Sequence, residues 1–298
     1  MVPIIIFAFN RPKSFQDTIE SLKNNKESQN SLLFIYVDGP RKNNIEDLKN
    51  IKEVQRLASN ISGFKNVYLK FSETNNGLAK SIISGVSEVI EKYGSVIVLE
   101  DDLIVQPNFL SFMNQGLGKY ENNKDVFSIC GYTNKIKIPS NYPFDSYFCT
   151  RSSSWGWATW KDRWKTIEWS FENWSEWVKY KKEFNRWGGS DCFSMLKGCK
   201  EGRNKSWAIR FCFSQFLQNK LSVFPVKSLV KNDGFDGMGT NCKGYSRFKY
   251  DLMSPSIDFF SFPNSVELNR KFQKEALKYH SILIRIWSRF MYAIEAYK

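Results

Sequence analysis

The stretch Ser95-Val-Ile-Val-Leu-Glu-Asp-Asp-Leu103 places a buried strand directly before three carboxylates. The apolar run 96–99 is typical of a strand covered on both faces. It stops at Glu100, Asp101 and Asp102, whose charges repel one another in a poorly hydrated setting unless a positive charge lies beside them. Carboxylate oxygens suit Mg²⁺ or Mn²⁺, so the stretch predicts a divalent metal that holds a phosphorylated ligand. The alternative is a strand that ends in a solvated acidic turn.

Strand and helix patterns alternate over the first 130 residues. Apolar runs predict strands at 3–10, 32–37, 67–71 and 96–99, and helical spacing predicts helices at 13–23, 45–57, 78–92 and 108–120. This alternation predicts an α/β protein with a mainly parallel sheet, flanked by helices and joined by right-handed crossovers.

Polar clusters follow all four of these predicted strands. They are Asn10-Arg11, Asp38-Gly39, Asn75-Asn76-Gly77 and the acids at 100–102. Ligands of parallel sheets bind at the carboxyl ends of the strands. We therefore expect the four clusters to lie along one edge of the sheet and to contribute to one binding site.

The second half of the sequence is less regular. Strands are predicted at 127–132, 146–149 and 221–224, and helices at 174–184, 190–199 and 206–218. An aromatic segment, Arg151-Ser-Ser-Ser-Trp-Gly-Trp-Ala-Thr-Trp160, precedes these helices, and a glycine-rich loop covers 232–242. Such a loop is expected to approach a ligand closely.

The charge balance points to anionic partners. The 298 residues carry a net charge of +13, which suits nucleic acid, anionic lipid or a phosphorylated substrate. The six cysteines form no Cys-x-x-Cys pair and His280 is the single histidine, which argues against zinc and fits a reducing compartment. We find no nucleic-acid-binding motif, so nucleic acid is not expected as a partner.

The C-terminal segment 266–298 has a pattern of its own. Its apolar residues recur at helical spacing, and 270–298 holds seven Lys or Arg and two Glu, a net charge of +5. A basic amphipathic helix of this kind is predicted to bind an anionic membrane surface. The alternative is a helix packed on its own domain or on a dimer partner. No run of about 18 apolar residues occurs, so we expect a cytoplasmic protein, held peripherally at most on the inner face of the membrane.

In this combination and order, the segments resemble the GT-A class of nucleotide-sugar glycosyltransferases. The resemblance covers residues 2–245 and rests on the acidic triplet together with the Asp38-Gly-Pro and Asn75-x-Gly-Leu turns. Four later segments are similar to a bacterial branch close to the GT2 enzymes and distantly related to the Golgi mannosyl N-acetylglucosaminyltransferase. They are Arg-x-Ser-Ser-Trp-Gly-Trp-Ala-Thr-Trp from 151, Gly-Gly-x-Asp from 188, Ser-Trp-Ala-Ile-Arg from 206 and Gly-Phe-Asp-Gly-x-Gly-Thr from 234.

The resemblance implies a donor site for a nucleotide-sugar, UDP rather than GDP. Its expected donor-binding residues are Arg11, Asp38, Asn75, Gly77, Lys80, Glu100 and Asp101. Asp102 would ligate Mn²⁺ or Mg²⁺, which would bridge the two phosphates. Two of these roles have plain alternatives, since Asp38 suits a turn and Lys80 suits a solvated helix. Relatives often carry a histidine at the end of the glycine loop, where this chain has Asn241.

The same resemblance implies an inverting reaction, which needs a general base for the acceptor hydroxyl. Asp191 and Asp236 are the candidates, with Asp191 preferred, although Asp191 also suits a helix N-cap. Some relatives have an acid where this chain has Ala208. The expected acceptor-binding residues are Trp155, Trp157, Trp207 and Arg210, with Trp160 as a further member of an aromatic platform or, instead, of the core.

The sequence thus predicts a catalytic domain at 1–265 and a C-terminal helix at 266–298. Residues 1–130 would bind the nucleotide-sugar and 131–265 the acceptor. The predicted activity is hexosyl or N-acetylhexosaminyl transfer to a lipid-linked glycan in bacterial surface polysaccharide synthesis, O-antigen or capsule. The alternatives are a catalytically weak nucleotide-sugar-binding homologue and a basic nucleic-acid-binding protein. A sugar nucleotidyltransferase is disfavoured because Asn10-Arg-Pro-Lys13 has no glycine where those enzymes carry a phosphate loop.

Overall fold

An eight-stranded, mostly parallel sheet forms the centre of the protein. The computed structural model describes residues 1–234 and 247–296. The strands are β1 (Ile4–Ala8), β2 (Leu32–Val37), β3 (Asn66–Phe71), β4 (Ser95–Glu100), β5 (Leu103–Val105), β6 (Val126–Cys130), β7 (Ser146–Cys149), β8 (Trp157–Trp160), β9 (Leu221–Pro225) and β10 (Val230–Asn232). The sheet order is β3-β2-β1-β4-β8-β6-β9-β7, and β5 pairs with β10 in a separate antiparallel ribbon.

Helices cover both faces of this sheet. They are α1 (Pro12–Lys23), α2 (Ile45–Ser59), α3 (Leu78–Tyr93), α4 (Phe109–Tyr120), α5 (Lys161–Trp164), α6 (Trp174–Trp177), α7 (Lys181–Gly188), α8 (Cys192–Lys200), α9 (Trp207–Leu217), α10 (Arg270–Leu277) and α11 (Ile282–Ala296). Single 3₁₀ turns lie at Ser28–Asn30, Val178–Tyr180 and Lys278–His280.

Strand β1 shows why the apolar runs are continuous. Ile4 and Ile6 pack on one face of the sheet with α1, α2 and α4, and Ile5 and Phe7 pack on the other with α3, α5 and α9. A strand with helices on both sides needs apolar residues at every position. β1, β2, β3 and β4 pair in parallel, so the predicted α/β sheet is confirmed.

Strand β8 was not predicted from the sequence. Residues 157–160 run antiparallel between β4 and β6, and Gly156 before them has a φ of 66°. Only four residues form the strand, and its partner strands β6 and β4 lie about 30 and 60 positions earlier in the chain. A local sequence pattern therefore does not predict it. Its insertion makes the sheet mixed and extends it toward β6, β9 and β7.

The C-terminal segment is two helices, which corrects the expectation of one helix over 266–298. α10 packs on the outer strand β7, where Phe272 and Ala276 join a core cluster with Tyr147. Its Gln273 accepts the backbone N–H of Thr150 at 3.2 Å. After the turn at 278–280, α11 leaves a row of large apolar side chains in solvent, with Leu283 80% exposed. The amphipathic pattern therefore belongs to α11, while α10 is part of the body.

Candidate active site

Three adjacent strands deliver the predicted polar clusters to one edge of the sheet. On β1, Phe7 lies opposite Glu100 of β4, and Ala8 lies opposite Val37 of β2. The chain leaves these strands at Arg11, Asp38 and the acids 100–102, so these residues share the carboxyl edge. The structure thus brings three of the four predicted clusters, those that follow β1, β2 and β4, to one edge, as the topology requires.

Arg11 supplies the positive charge that the acidic triplet needs. Its Nη2 lies 2.7 Å from Asp102 Oδ2 and 3.3 Å from Asp101 Oδ1. α1 begins at the next residue, Pro12, whose fixed φ suits the first turn of a helix. The start of α1 therefore determines the backbone position from which the Arg11 side chain extends. One guanidinium facing three carboxylates leaves the edge with a net negative charge.

Burial and mutual repulsion make protonation of this edge easier. Burial, with the charges of Asp102 and Asp101, raises the pKa of Glu100 to about 8. Burial also raises the pKa of Asp101 to about 6, against the opposing effect of Arg11 and of the Phe9 N–H that donates to Asp101 Oδ2 at 2.9 Å. A further cation at this edge would lower both pKa values, since it favours the ionised carboxylates.

Asp102 faces a cavity of about 440 Å³, the first cavity, at the start of the glycine-rich loop. It is lined by Lys13, Ser14, Asp17, Asp102, Ile104, Asn232 and Asp233. The Asp233 N–H donates to the Asp102 carbonyl at 2.9 Å, and a Cβ on Gly234 would lie 2.2 Å from Asp102 Oδ2. Because Arg11 holds that oxygen, only glycine fits there. The loop thus begins against Asp102; Asp236 and Asn241 lie outside the described residues.

The donor set around Asp102 fits a divalent cation. Within residues 1–234 and 247–296, no group of three or more His, Cys, Asp or Glu side chains is arranged to hold a metal by itself. Mg²⁺ is commonly bound through one or two carboxylates and completed by substrate phosphates and water. Asp102 could supply one such carboxylate to the cavity, which oxygen groups of Asp17, Asn232 and Asp233 also line. In this structure Asp17 is paired with Lys13 and Asp233 with Lys231.

Asp38 organises two loops. Its carboxylate accepts the N–H groups of Gly39 at 3.0 Å, Asn76 at 2.9 Å and Gly77 at 2.8 Å. Asn75 donates its side-chain amide to the Gly39 carbonyl at 2.9 Å. These bonds tie the turn after β2 to the turn after β3, as the turn alternative for Asp38 anticipated.

The donor-binding roles of these turns stay predictions. The oxygens of Asp38 are largely occupied by the protein, which leaves little capacity for a nucleotide. Gly77 has a φ of 78° and caps α3, and Lys80 is exposed on that helix.

A second cavity, of about 310 Å³, opens beside the acidic edge. Trp157 of β8 lies opposite both Val98 of β4 and Cys130 of β6. Two residues beyond these positions lie Glu100 on β4 and Tyr132 after β6. Because β8 runs antiparallel to both strands, its matching residue is Trp155, two positions earlier. The cavity wall therefore continues the edge that carries the acids. Tyr132, Trp155 and Phe248 form an aromatic wall, with ring centroids 4.4 and 5.4 Å apart.

Asp191 lies in this second cavity and is paired with Arg151. Its Oδ1 is 2.8 Å from Arg151 Nη1 and its Oδ2 is 3.2 Å from Nη2. Burial by itself would raise the pKa of Asp191, but Arg151 lowers it to about 2. Asp191 precedes α8, but its side chain accepts no N–H from the first turn of that helix, so the alternative of a capping role is not what its carboxylate does.

His280 and Arg247 complete the second cavity and were not predicted as site residues. His280 Nδ1 is 4.0 Å from Asp191 Oδ2. Burial and the charge of Arg151 lower the pKa of His280 well below its ordinary value, so the ring is neutral. The only available signal was that His280 is the single histidine of the chain; its approach to Asp191 depends on α10 folding back over the body.

Among the predicted acceptor residues, Trp155 lines the second cavity, whereas Trp157 and Trp207 are corrected to core residues. Their rings stack 4.9 Å apart at 2% and 4% exposure, covered by α3 and α9. Trp160 is also buried, with its N–H donated to the Leu117 carbonyl at 3.2 Å. Aromatic spacing in the sequence cannot distinguish the face of β8 that meets a ligand from the face that meets a helix.

Arg210 is also engaged inside the protein. Its Nη1 donates to the Trp169 carbonyl at 2.9 Å, and its guanidinium lies 5.5 Å from the centre of the Trp169 ring. The same α9 does contribute to the second cavity through Ala208 and Ile209. The position where relatives carry an acid therefore faces the cavity that holds Asp191.

A mostly parallel sheet with an acidic triplet after its fourth strand and a second cavity beside it defines the GT-A class of nucleotide-sugar glycosyltransferases. The model of Glycosyl transferase family 2 matches residues 4–195, well over half of the chain. This chain belongs to that family. No curated protein matches it in sequence.

Several solved structures are similar in fold. S. aureus TarS 1-349 has 10% identity and a TM-score of 0.43, covering 80% of this chain and 62% of that chain. The galactosyltransferase LgtC with donor and acceptor sugar analogs has 15% identity and 0.37, covering 60% and 65%. Mouse xyloside xylosyltransferase 1 has 9% identity and 0.41, covering 76% and 85%. This chain thus spans less than two thirds of the TarS and LgtC chains.

Within the described residues, each helix is too short or too polar to cross a bilayer.

The Asp191–Arg151 pair predicts a pH-dependent loss of stability in Asp191→Asn. The pKa of Asp191 falls from an ordinary value of 3.8 to about 2 on folding, so its charge stabilises the protein above about pH 5 and ceases to do so as the pH falls toward 2. We expect Asp191→Asn to lower the free energy of unfolding by about 2 kcal/mol at pH 7 and by clearly less at pH 3. Urea denaturation at pH 7, 5 and 3 measures this.

The matched control is Asp258→Asn, which removes an exposed carboxylate paired with Lys26. Its urea midpoint should follow the wild type at each pH. If Asp191→Asn lowers the free energy of unfolding by the same amount at pH 3 as at pH 7, the ion pair with Arg151 does not lower the pKa of Asp191.

Proposed function

We propose that this protein is a metal-dependent glycosyltransferase that moves a sugar from a nucleotide-diphosphate sugar to a glycan acceptor. The observation that supports this most strongly is the Asp102 carboxylate, held by Arg11 and faced by Gly234 at the mouth of the first cavity. A donor diphosphate brings two or more negative charges to an edge that is already negative. A divalent cation between Asp102 and the diphosphate offsets both.

On the donor side, Asp102 would hold Mn²⁺ or Mg²⁺, and the ion would act as a Lewis acid that stabilises the departing nucleoside diphosphate. Asp101 is fixed by the Phe9 N–H and by Arg11, and its carboxylate would contact the ribose, as the resemblance implies. Arg11 keeps the acids compensated before the donor binds. The Asp38 network sets the shape of two turns that would lie near the nucleotide base.

On the acceptor side, the second cavity would hold the sugar that is extended. Trp155 and Tyr132 offer an apolar face for a sugar ring. Asp191 has a pKa of about 2, which makes it a weak proton acceptor near neutral pH. We infer that Asp191 positions Arg151 and that Asp236, two residues after Gly234, is the base of an inverting reaction.

Several finer features of the proposal rest on the sequence resemblance. They are a UDP-sugar rather than a GDP-sugar, hexosyl or N-acetylhexosaminyl transfer, and a place in bacterial surface polysaccharide synthesis. A catalytically weak nucleotide-sugar-binding homologue is the second candidate, because Ala208 faces the second cavity where relatives carry an acid. The two are separated by whether a bound donor is turned over.

Asp102→Ala should abolish metal-dependent donor binding. In the wild type, calorimetric titration with a panel of UDP- and GDP-sugars is expected to show binding that Mn²⁺ strengthens, with a UDP-sugar the tightest. Without the Asp102 ligand the effect of Mn²⁺ should disappear, a loss of about tenfold or more in affinity. Asp258→Asn, which removes an exposed carboxylate far from this edge, should bind like the wild type. The metal-donor proposal fails if no sugar nucleotide binds with Mn²⁺ present, or if Asp102→Ala binds as well as the wild type.

The assignment of the base predicts different effects for Asp236→Asn and Asp191→Asn. With water as the acceptor, Asp236→Asn should hydrolyse the bound UDP-sugar about 100-fold more slowly, the scale expected for a lost general base. Asp191→Asn should hydrolyse it within a few-fold of the wild-type rate, because its effect is on Arg151. Both variants should keep the wild-type affinity for UDP and Mn²⁺. A 100-fold loss in Asp191→Asn alone would return the base role to Asp191.

We further propose that α11 places the enzyme on an anionic membrane surface, where a lipid-linked acceptor would be extended. Its large side chains stay exposed, with Leu283 at 80%, Phe290 at 63% and Ile286 at 59%. Contiguous apolar surface of this kind marks a contact with a membrane or another protein. Arg285 and Arg289 on the same helix favour the membrane, because their charge complements anionic lipid. This narrows the predicted membrane-binding segment 270–298 to α11.

The triple variant Leu283→Glu, Ile286→Glu and Phe290→Glu should lose binding to anionic liposomes. Flotation with phosphatidylglycerol vesicles is expected to show at least about a tenfold fall in partitioning, since apolar insertion and charge attraction are both opposed. α10 is left intact, so the body keeps its packing. The control Ile45→Glu with Leu48→Glu, also exposed on a helix, should partition like the wild type. If the triple variant still floats, α11 is not the membrane contact.

A further inference from the structure

The second cavity holds more positive than negative charge. Arg151, Arg247 and His280 line it together with Asp191, and Asp191 is the single Asp or Glu among its lining residues in the described part of the chain. Both carboxylate oxygens of Asp191 are paired with the guanidinium of Arg151. His280 is neutral and adds no charge. Among the described lining residues, Asp191 is thus the single carboxylate beside Arg247, and it is already paired with Arg151.

Contacts with the turn at 278–280 position Arg247 directly and Arg285 through Ser190. Arg247 donates its Nε–H to the Tyr279 carbonyl at 2.9 Å, and its guanidinium carbon lies over the Phe248 ring, 4.4 Å from the ring centre. Arg285 of α11 reaches Ser190 Oγ at 3.4 Å. The same Ser190 hydroxyl donates to the His280 carbonyl at 2.8 Å, so α11, the turn and the start of α8 are joined around the cavity.

Glycine at position 189 allows this close approach. Gly189 has a φ of 118°, and a Cβ there would lie 2.6 Å from the His280 Cβ and 3.3 Å from Arg151 Nη1. The chain therefore passes close to both the histidine and the buried arginine. The cationic wall is held by specific contacts at every residue, which is unlike a patch of solvated lysines on a surface.

The arginines at this cavity repel one another. Burial lowers the pKa of Arg247, and the neighbouring charges of Arg151, Arg285 and Arg289 lower it further, while Asp191 opposes them. Once Asp191 and Arg151 cancel, Arg247 and Arg285 leave about two positive charges beside the cavity. A phosphate group carries close to two negative charges at neutral pH, and a guanidinium matches its oxygens geometrically.

We propose that the second cavity is a phosphate subsite, in which Arg247, with Arg151 behind it, holds a phosphate or diphosphate of the acceptor. The inference rests on the proposed function only in taking this cavity for the acceptor side. The phosphate belongs to a lipid headgroup, because Arg285 lies on α11, whose apolar face starts at Ile282 and Leu283 beside the cavity. A free phosphate or a soluble phosphorylated sugar would not use that face.

The test is calorimetric titration in EDTA with two probes, inorganic pyrophosphate and geranyl diphosphate. EDTA removes divalent metal, so the Asp102 site does not contribute through an ion. Arg247→Gln should weaken the binding of both probes about tenfold or more, the scale of one lost charge-assisted hydrogen bond. Arg56→Gln removes the same charge from an exposed position on α2 and should leave both affinities at the wild-type value.

A second comparison separates the lipid source from free phosphate. Geranyl diphosphate should bind more tightly than pyrophosphate, and Leu283→Glu should remove that difference while leaving pyrophosphate affinity unchanged. Equal affinity for the two probes overturns the lipid source, and equal effects of Arg247→Gln and Arg56→Gln overturn the subsite.

The two proposals fail separately, because titrations in EDTA do not use a metal at Asp102. If a sugar nucleotide fails to bind with Mn²⁺ while pyrophosphate binding in EDTA still depends on Arg247, the proposed donor chemistry is wrong and the phosphate subsite stands. If wild-type protein binds neither probe at millimolar concentration, the subsite is wrong whatever the donor experiment shows.

Discussion

The guanidinium of Arg11 between Asp101 and Asp102 is the contact on which the edge of the sheet depends. Three consecutive carboxylates at the end of a buried strand repel one another, and a nearby positive charge or protonation of a carboxyl relieves that repulsion. Arg11 reaches them because β1 and β4 are neighbours and because α1 starts immediately after it. The contact compensates the acids in part, which leaves the edge suited to a further cation.

The second cavity also pairs a carboxylate with an arginine, but the sign of its net charge is opposite to that of the acidic edge. There Asp191 is held by Arg151, but the surplus charge is positive, since Arg247 and Arg285 stand beside the pair. A protein that lines one cavity with excess carboxylate and its neighbour with excess guanidinium separates two kinds of ligand. Under the proposals made above, a metal-bound diphosphate would occupy the first cavity and an anionic acceptor group the second. The register of β4, β8 and β6 places the two side by side.

The C-terminal helices connect this electrostatic arrangement to the outside of the molecule. α10 is built into the body through Phe272 and Gln273, and the turn after it brings His280 to Asp191. α11 then leaves the body with its apolar side exposed and Arg285 turned toward the cavity. Helical spacing over 266–298 predicts one basic amphipathic helix, because spacing shows which residues share a face and not what covers that face.

The sequence by itself determined the parallel half of the sheet and the residues at its edge. Continuous apolar runs have one stable place, a strand covered on both sides, and polar residues after such strands must meet at one edge. Only the tertiary structure decided what each side chain touches. The Asp38 oxygens accept the backbone N–H groups of residues 39, 76 and 77. Trp157 and Trp207 stack in the core. Asp191 pairs with Arg151, 40 positions earlier in the chain. Contacts of that kind join residues far apart in the chain, and local patterns carry no information about them.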